Sequence, residues 1–211
     1  MAPVTHRLMS LYMRLSPASV ETLQKIRGSH HTEFPYPDTP VALFYNIVYS
    51  KNNMRLITNV LDDICSVERP ISLRLAYPFW DKGTKSNKAS IYYDIASKEL
   101  LKLRRESTKR LGGIETVEPT VQSGNFPRKC LIRDQKFPCF KPKVAVRHQV
   151  PREYCDQLVG DFERKFSNAP VLTVVGLSLG PKTGIDWMKH RADVLQLEPP
   201  PWTHFTFSAT E

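Results

Sequence analysis

The chain has 211 residues, of which 41% are hydrophobic and 24% charged. That balance excludes a disordered or fibrous chain and allows one sizeable core. A formal net charge of +9 favours anionic partners such as nucleic acid, nucleotides or acidic metabolites, although a solvated basic surface gives the same count.

No apolar run approaches the roughly 20 residues of a membrane-spanning helix, and residues 1–10 contain no signal-type stretch. A soluble, cytoplasmic protein with no membrane partner is therefore expected. Cys65, Cys130, Cys139 and Cys155 form no C-x-x-C pair and fit neither a zinc site nor a disulfide scaffold, so reduced, mostly buried thiols are expected. No carboxylate cluster has metal-ligand spacing, and no cofactor or metal is expected.

In chain order, residues 8–15 alternate, with Met9, Leu11, Met13 and Leu15 on one side and Ser10, Tyr12 and Arg14 on the other, which predicts a half-buried strand. Ser16-Pro17 starts a helix carrying Val20, Leu23 and Ile26, and Gly28 stops it. A proline-bearing loop over 29–40 leads to a strand over 41–49. Met54, Ile57, Leu61 and Ile64 predict a helix over 53–66. Residues 71–79 and 89–95 read as a hairpin about the polar loop 81–88. Ser97 caps a helix with Leu100, Leu103 and Leu111 on one side and Lys98, Lys102, Arg104, Arg105, Lys109 and Arg110 on the other, either a solvated face or an RNA-facing one.

Residues 112–138 show little periodicity and suggest a long loop that would act as a flap over a cleft. Residues 143–150 form a strand. Pro151 opens a helix with Tyr154, Leu158, Phe162 and Phe166 along one side, and 171–179 form a further strand, with 194–197 as a last one. Residues 198–211, with three consecutive prolines, read as a surface tail after a single domain over 1–197. Helices alternate with strands, yet the hairpin argues against a doubly wound parallel sheet, so the fold class is α+β with mixed or antiparallel sheets. No glycine-rich phosphate loop occurs.

Two segments carry a family resemblance: Asp38-Thr39-Pro40-Val41-Ala42-Leu43-Phe44-Tyr45-Asn46-Ile47 and Phe140-Lys141-Pro142-Lys143-Val144-Ala145-Val146-Arg147-His148-Gln149-Val150-Pro151. Their layout resembles the 2H phosphoesterase superfamily, which includes the 2′-5′ RNA ligase-like proteins and cyclic phosphodiesterases. That family carries two His-x-Thr/Ser motifs on strands, the first running into Leu-Phe, the second following Phe-basic-Pro and preceding a Val-Pro step. Leu43-Phe44, Phe140-Lys141-Pro142 and Val150-Pro151 match those surroundings. The resemblance implies a two-lobed α+β domain around a central cleft.

The motifs themselves are replaced, by Pro40-Val41-Ala42 and by Lys143-Val144-Ala145. In the family a histidine pair serves as acid and base, each proton transfer contributing roughly 10²–10⁴ in rate, and the hydroxyls hold phosphate oxygens. Proline and alanine offer no such group, and an ordinary lysine is a poor base at neutral pH. The resemblance thus implies lost or replaced phosphodiesterase activity, a pseudoenzyme.

Strand alternation puts Lys143, Ala145 and Arg147 on one face, and Pro40, Ala42, Phe44 and Asn46 on the opposing wall. A cleft with one basic and one apolar wall suits an anionic or aromatic small molecule, or a nucleotide, held by Lys143, Arg147, Phe44 and Asn46. The same side chains could also simply close the cleft. The alternatives are a working RNA-end or cyclic-nucleotide phosphodiesterase using His30, His31 or His148 as substitutes, a non-hydrolytic cyclase or isomerase in the same cleft, and plain RNA binding through the basic helix. His148 is expected to face away from Arg147. His190 and His204 lack sequence partners, Cys139 lacks a nucleophile signature, and Trp80 and Trp187 read as core anchors or lids.

Overall fold

The computed structural model describes residues 8–34, 36–82, 87–117, 129–134, 141–181 and 201–208. Among them nine strands and four α-helices occur: β1 (Leu8–Leu15), α1 (Pro17–Arg27), β2 (Val41–Val48), α2 (Lys51–Val67), β3 (Ile71–Lys82), β4 (Lys88–Ala96), α3 (Lys98–Arg110), β5 (Glu115–Val117), β6 (Lys129–Leu131), β7 (Lys143–Pro151), α4 (Cys155–Lys165), β8 (Val171–Pro181) and β9 (Thr203–Thr206). Serines at the N-caps start three of the helices. Ser16, Ser50 and Ser97 each accept a backbone N–H three residues on.

The strands form one sheet in the order β6-β5-β2-β1-β8-β3-β4-β7, with β9 also on β8, and every pairing is antiparallel. The fold is therefore α+β, as the hairpin implied. β8 is central. One edge pairs with β1 along its length; the other pairs with β3 over 171–174 and then with β9 over 176–179. Helix α1 lies against β8, α2 against β8 and β9, α3 against β3, and α4 against β3 and β4. Leu23 and Ile26 of α1, Ile57, Leu61 and Ile64 of α2, and Leu100 and Leu103 of α3 join the main core with Leu11, Leu177 and Leu179.

Several expectations change here. β1 is buried on both sides, Ser10 and Tyr12 included, because it lies between β2 and β8 with further strands beyond. Arg104 turns inward from the basic side of α3 and is buried, while Lys98, Lys102, Arg105, Lys109 and Arg110 face solvent. Part of the expected flap is sheet: β5 pairs with β2 and with β6. Pro151 ends β7, and a single 3-10 turn, Arg152–Tyr154, precedes α4. Tyr154 is consequently exposed, whereas Leu158, Phe162 and Phe166 pack against the core.

The expected tail contributes β9, and Phe205 and Phe207 are buried. Two aromatics at alternate positions are enough to draw this segment onto β8 despite the prolines before it. The strand expected over 194–197 lies outside the described residues. No helix is long and apolar enough to cross a membrane among the described residues.

The docking of β9 needs a glycine. A Cβ at Gly176 would stand 2.0 Å from the carbonyl oxygen of Phe205, a backbone atom that cannot swing aside. Gly176→Ala should destabilise the protein by about 1–3 kcal/mol, read as a lower urea midpoint. An unchanged midpoint would mean that β9 is not seated on β8 in solution.

Candidate functional site

The two strands singled out by the sequence are not neighbours; β1, β8, β3 and β4 separate β2 from β7. Simple alternation along β7 fails after Ala145. Ala145 pairs with Tyr92 but Arg147 pairs with Ile91, so two steps on β7 oppose one on β4. Such a bulge reverses the face taken by the side chains that follow it, until a second shift intervenes. Lys143 and Ala145 share the face of Tyr92 and Asp94, whereas Arg147 goes to the face of Ile91 and lines cavities against Leu158 of α4. The expectation that Lys143 and Arg147 flank one cleft is thereby corrected. A second irregularity follows at Gln149, whose φ is 55°.

β2 uses the same device. Tyr12 pairs with Ala42 and Leu11 with Phe44, leaving Leu43 as the extra residue. Phe44 turns into the core, fully buried, with the Arg104 guanidinium 3.4 Å from its ring centroid. Asn46, at φ 58°, is also buried; asparagine tolerates this left-handed conformation better than most residues. Phe44 and Asn46 therefore do not form the expected open wall. Tyr45 takes the position beside Ala42 and is 46% exposed.

Lys143 is held by its surroundings. Its Nζ lies 2.7 Å from Asp81 Oδ2, 3.9 Å from the Tyr92 ring centroid and 5.7 Å from that of Phe79. The rings of Phe79 and Tyr92 stack at 5.8 Å, and Tyr77 continues the row at 6.4 Å from Phe79. The hydroxyl of Tyr45 has a raised pKa, chiefly from desolvation, with Tyr12 and Tyr92 adding to it and Arg104 opposing. Tyr92 of β4 thus acts electrostatically on Tyr45 of β2, although β1, β8 and β3 lie between their strands in the sheet order. Of the four motif positions, Pro40, Ala42 and Ala145 carry no polar side-chain atom, and only Lys143 carries charge.

The three candidate substitute histidines divide. His31 is turned onto its own segment, Nδ1 2.9 Å from Gly28 O. His30 Nδ1 lies 2.8 Å from one oxygen of Glu33, and the other oxygen accepts the His148 backbone N–H at 3.1 Å. The His148 ring packs on Phe34 at 4.8 Å, with Nδ1 3.0 Å from Ser90 Oγ. His148 does face away from Arg147, on the Lys143 side of the sheet with Ser90, because of the bulge. His30, Glu33 and the His148 amide form a polar chain at the outer edge of β7, which the His148 ring continues inward to Ser90 of β4.

Arg27 seals that edge. Its Nε and Nη2 both donate to the Ala145 carbonyl, at 3.2 and 2.9 Å, and its guanidinium stands 3.6 Å from the Phe34 ring centroid. Burial lowers its pKa to about 10, so it stays charged at neutral pH.

Sequence reasoning did not pick out Ser90, Glu33, Arg27, Tyr45 or Tyr92. Ser90 and Glu33 lie 58 and 115 residues from His148, so no local spacing signals them. His204 is paired with Ser178 Oγ at 2.8 Å and stacks on Trp202. Trp80 packs against the core and donates from Nε1 to Asp156. Cys65 and Cys155 are free and buried, as expected of reduced thiols. His190, Trp187 and Cys139 lie outside the described residues. No group of three His, Cys, Asp or Glu side chains is placed to hold a metal ion among the described residues.

No protein-family profile and no curated protein sequence matches the chain. Among solved structures it is similar to the crystal structure of TT0787 of Thermus thermophilus, with a TM-score of 0.47 and 12% identity over 97% of this chain and 100% of that one. A likeness so distant assigns neither family nor activity.

Desolvation lowers the pKa of His148, Glu33 raises it and Arg27 lowers it further, with a net decrease. The folded state then binds this proton less readily than the unfolded state. Stability tied to neutral His148 is present above the unfolded pKa of about 6.5 and is lost as pH falls below it. Tm should drop between about pH 7.5 and 5.5, and His148→Gln should shrink that drop. An equal drop in the variant would assign the titration to another group.

Proposed function

We propose that this protein is a non-hydrolytic binding module of 2H-like ancestry, which takes an anionic aromatic ligand, best a nucleotide, at Lys143 and the Tyr92 ring, with Tyr45 as a further aromatic within electrostatic reach. The observation that carries the reading is the lysine stacked on aromatic rings at a motif position: Lys143 Nζ 3.9 Å from the Tyr92 ring centroid, continued by Phe79 and Tyr77. A cation beside half-buried rings that lead to the exposed Tyr77 recognises both halves of a nucleotide, phosphate by charge and base by stacking.

Asp81 already pairs with Lys143, but both side chains are partly open to solvent. An ion pair of that kind contributes about 0–1 kcal/mol, so a phosphate can displace it at small cost. Arg147 takes no part in this binding, and Phe44 supports it only from beneath, through Arg104 and the neighbouring Tyr45. Hydrolysis by the two-histidine route is not expected, because Pro40, Ala42 and Ala145 supply neither acid, base nor oxyanion donor.

A second reading rests on the chain of His30, Glu33, His148 and Ser90. The lowered pKa of His148 keeps its imidazole neutral near pH 7, a form able to accept a proton. A cyclic phosphodiester reaching the edge of β7 would then meet a substitute base.

Titration calorimetry with AMP separates the readings when combined with an assay of 2′,3′-cyclic AMP opening. The binding-module reading expects saturable AMP binding, weakened about tenfold or more by Lys143→Ala, and no turnover. Turnover that disappears in His148→Gln would replace it with the second reading. AMP binding indifferent to Lys143→Ala would remove the site from this wall.

A further inference from the structure

On the helical side of the sheet, between the end of α1, β7 and α4, lies a cavity of about 350 Å³. Arg27, Arg147 and Lys165 line it, with Asp161 as the carboxylate among them. Its floor is apolar, from Ile26, Leu158 and Phe162. It is separate from the Lys143 wall, since the bulge in β7 sends Arg147 to the opposite face from Lys143.

Two of the cations are incompletely satisfied. Arg27 is only 3% exposed. Its Nε and Nη2 are spent on one carbonyl, while its buried Nη1 has no hydrogen-bond partner. Arg147 Nε is buried without a partner as well. Buried guanidinium N–H groups left in this state are costly, and an anion is the group that would compensate them.

The nearby acids do not fill that role. Asp161 is engaged by Arg164. Glu33, whose ionised form Arg147 also favours, has its oxygens on His30 and on the His148 amide. The carbonyl end of α1 contributes roughly half a negative charge, which is small against three full positive ones.

We infer that this cavity is a binding site for a phosphate monoester carrying a small apolar body. The phosphate oxygens would take the open N–H groups of Arg27 and Arg147 and the charge of Lys165. The organic part would lie on Leu158 and Phe162. The groove continues past Arg147 and Leu158 into a second cavity of about 230 Å³ bordered by Tyr154, which is exposed. A monoester fits better than a diester, because the open N–H groups of two arginines and the charge of a lysine match a group with two negative charges and three terminal oxygens.

Phenyl phosphate, with inorganic phosphate and phenol as partial probes, tests the site by calorimetry and ³¹P line broadening at fixed ionic strength. Saturable binding of phenyl phosphate is expected, with inorganic phosphate weaker and phenol undetectable. Arg147→Gln and Lys165→Gln should each weaken binding about tenfold or more, while Lys102→Ala on α3 should leave it unchanged. Arg27→Lys, which keeps the buried charge but removes the fork, should weaken it likewise. Should Arg27→Lys prove unstable, the two other variants decide. No saturable binding by folded wild type, or equal affinity in Arg147→Gln and Lys165→Gln, would overturn the assignment.

Discussion

The edge of β8 that faces away from β1 is divided between two strands, β3 over 171–174 and β9 over 176–179. That division is the constraint on which the remaining architecture depends. It joins β6-β5-β2-β1 to β3-β4-β7 through one strand, and it needs residues without side chains where β9 and Trp202 press onto β8. Gly176 and Gly180 meet that need, a Cβ at Gly180 falling 2.2 Å from the Trp202 ring. At the far edge, β7 would present open backbone acceptors. The end of α1 and the 3-10 segment Gly28–Glu33 after it cover that edge, through Arg27 on Ala145 O and Glu33 on the His148 amide.

Local slippage then decides the chemistry of each surface. One extra residue in β2 buries Phe44 and brings out Tyr45; one in β7 separates Lys143 from Arg147 and brings His148 beside Ser90. A regular β7 would gather Lys143 and Arg147 into a single basic wall. The bulged one divides the charge, giving an aromatic-backed lysine on one face and an arginine over a cavity on the other. The proposed nucleotide wall and phosphate cavity are both consequences of this division.

Much of the fold is legible in the sequence because its signals are local. Serine caps, the glycine after α1, the alternation in β1 and the three- and four-residue apolar steps of α2 each act within a turn or two. The site is less legible. Bulges are set by pairing with a partner strand, and nothing in residues 41–48 or 143–150 alone specifies which residue is extra. Arg104 reads as one of a run of surface cations, yet the ring of Phe44, 60 positions earlier in the chain, gives it a buried partner. Strand β9 is hidden by the prolines that precede it, although Phe205 and Phe207 carry the alternation that buries it.

Register slips turn Phe44 inward and Tyr45 outward on β2 and send Arg147 to the face opposite Lys143 on β7, and the proposed nucleotide wall of Lys143, Tyr92 and Tyr45 follows from them. Aromatic ¹H–¹³C NMR during titration with AMP addresses it directly, since each ring reports its own surroundings. Shifts are expected at Tyr92 and Tyr45, with smaller ones at Phe79 and none of comparable size at Phe34 beside Arg27. Shifts centred on Phe44 and Phe34, with Tyr45 and Tyr92 unmoved, would contradict it.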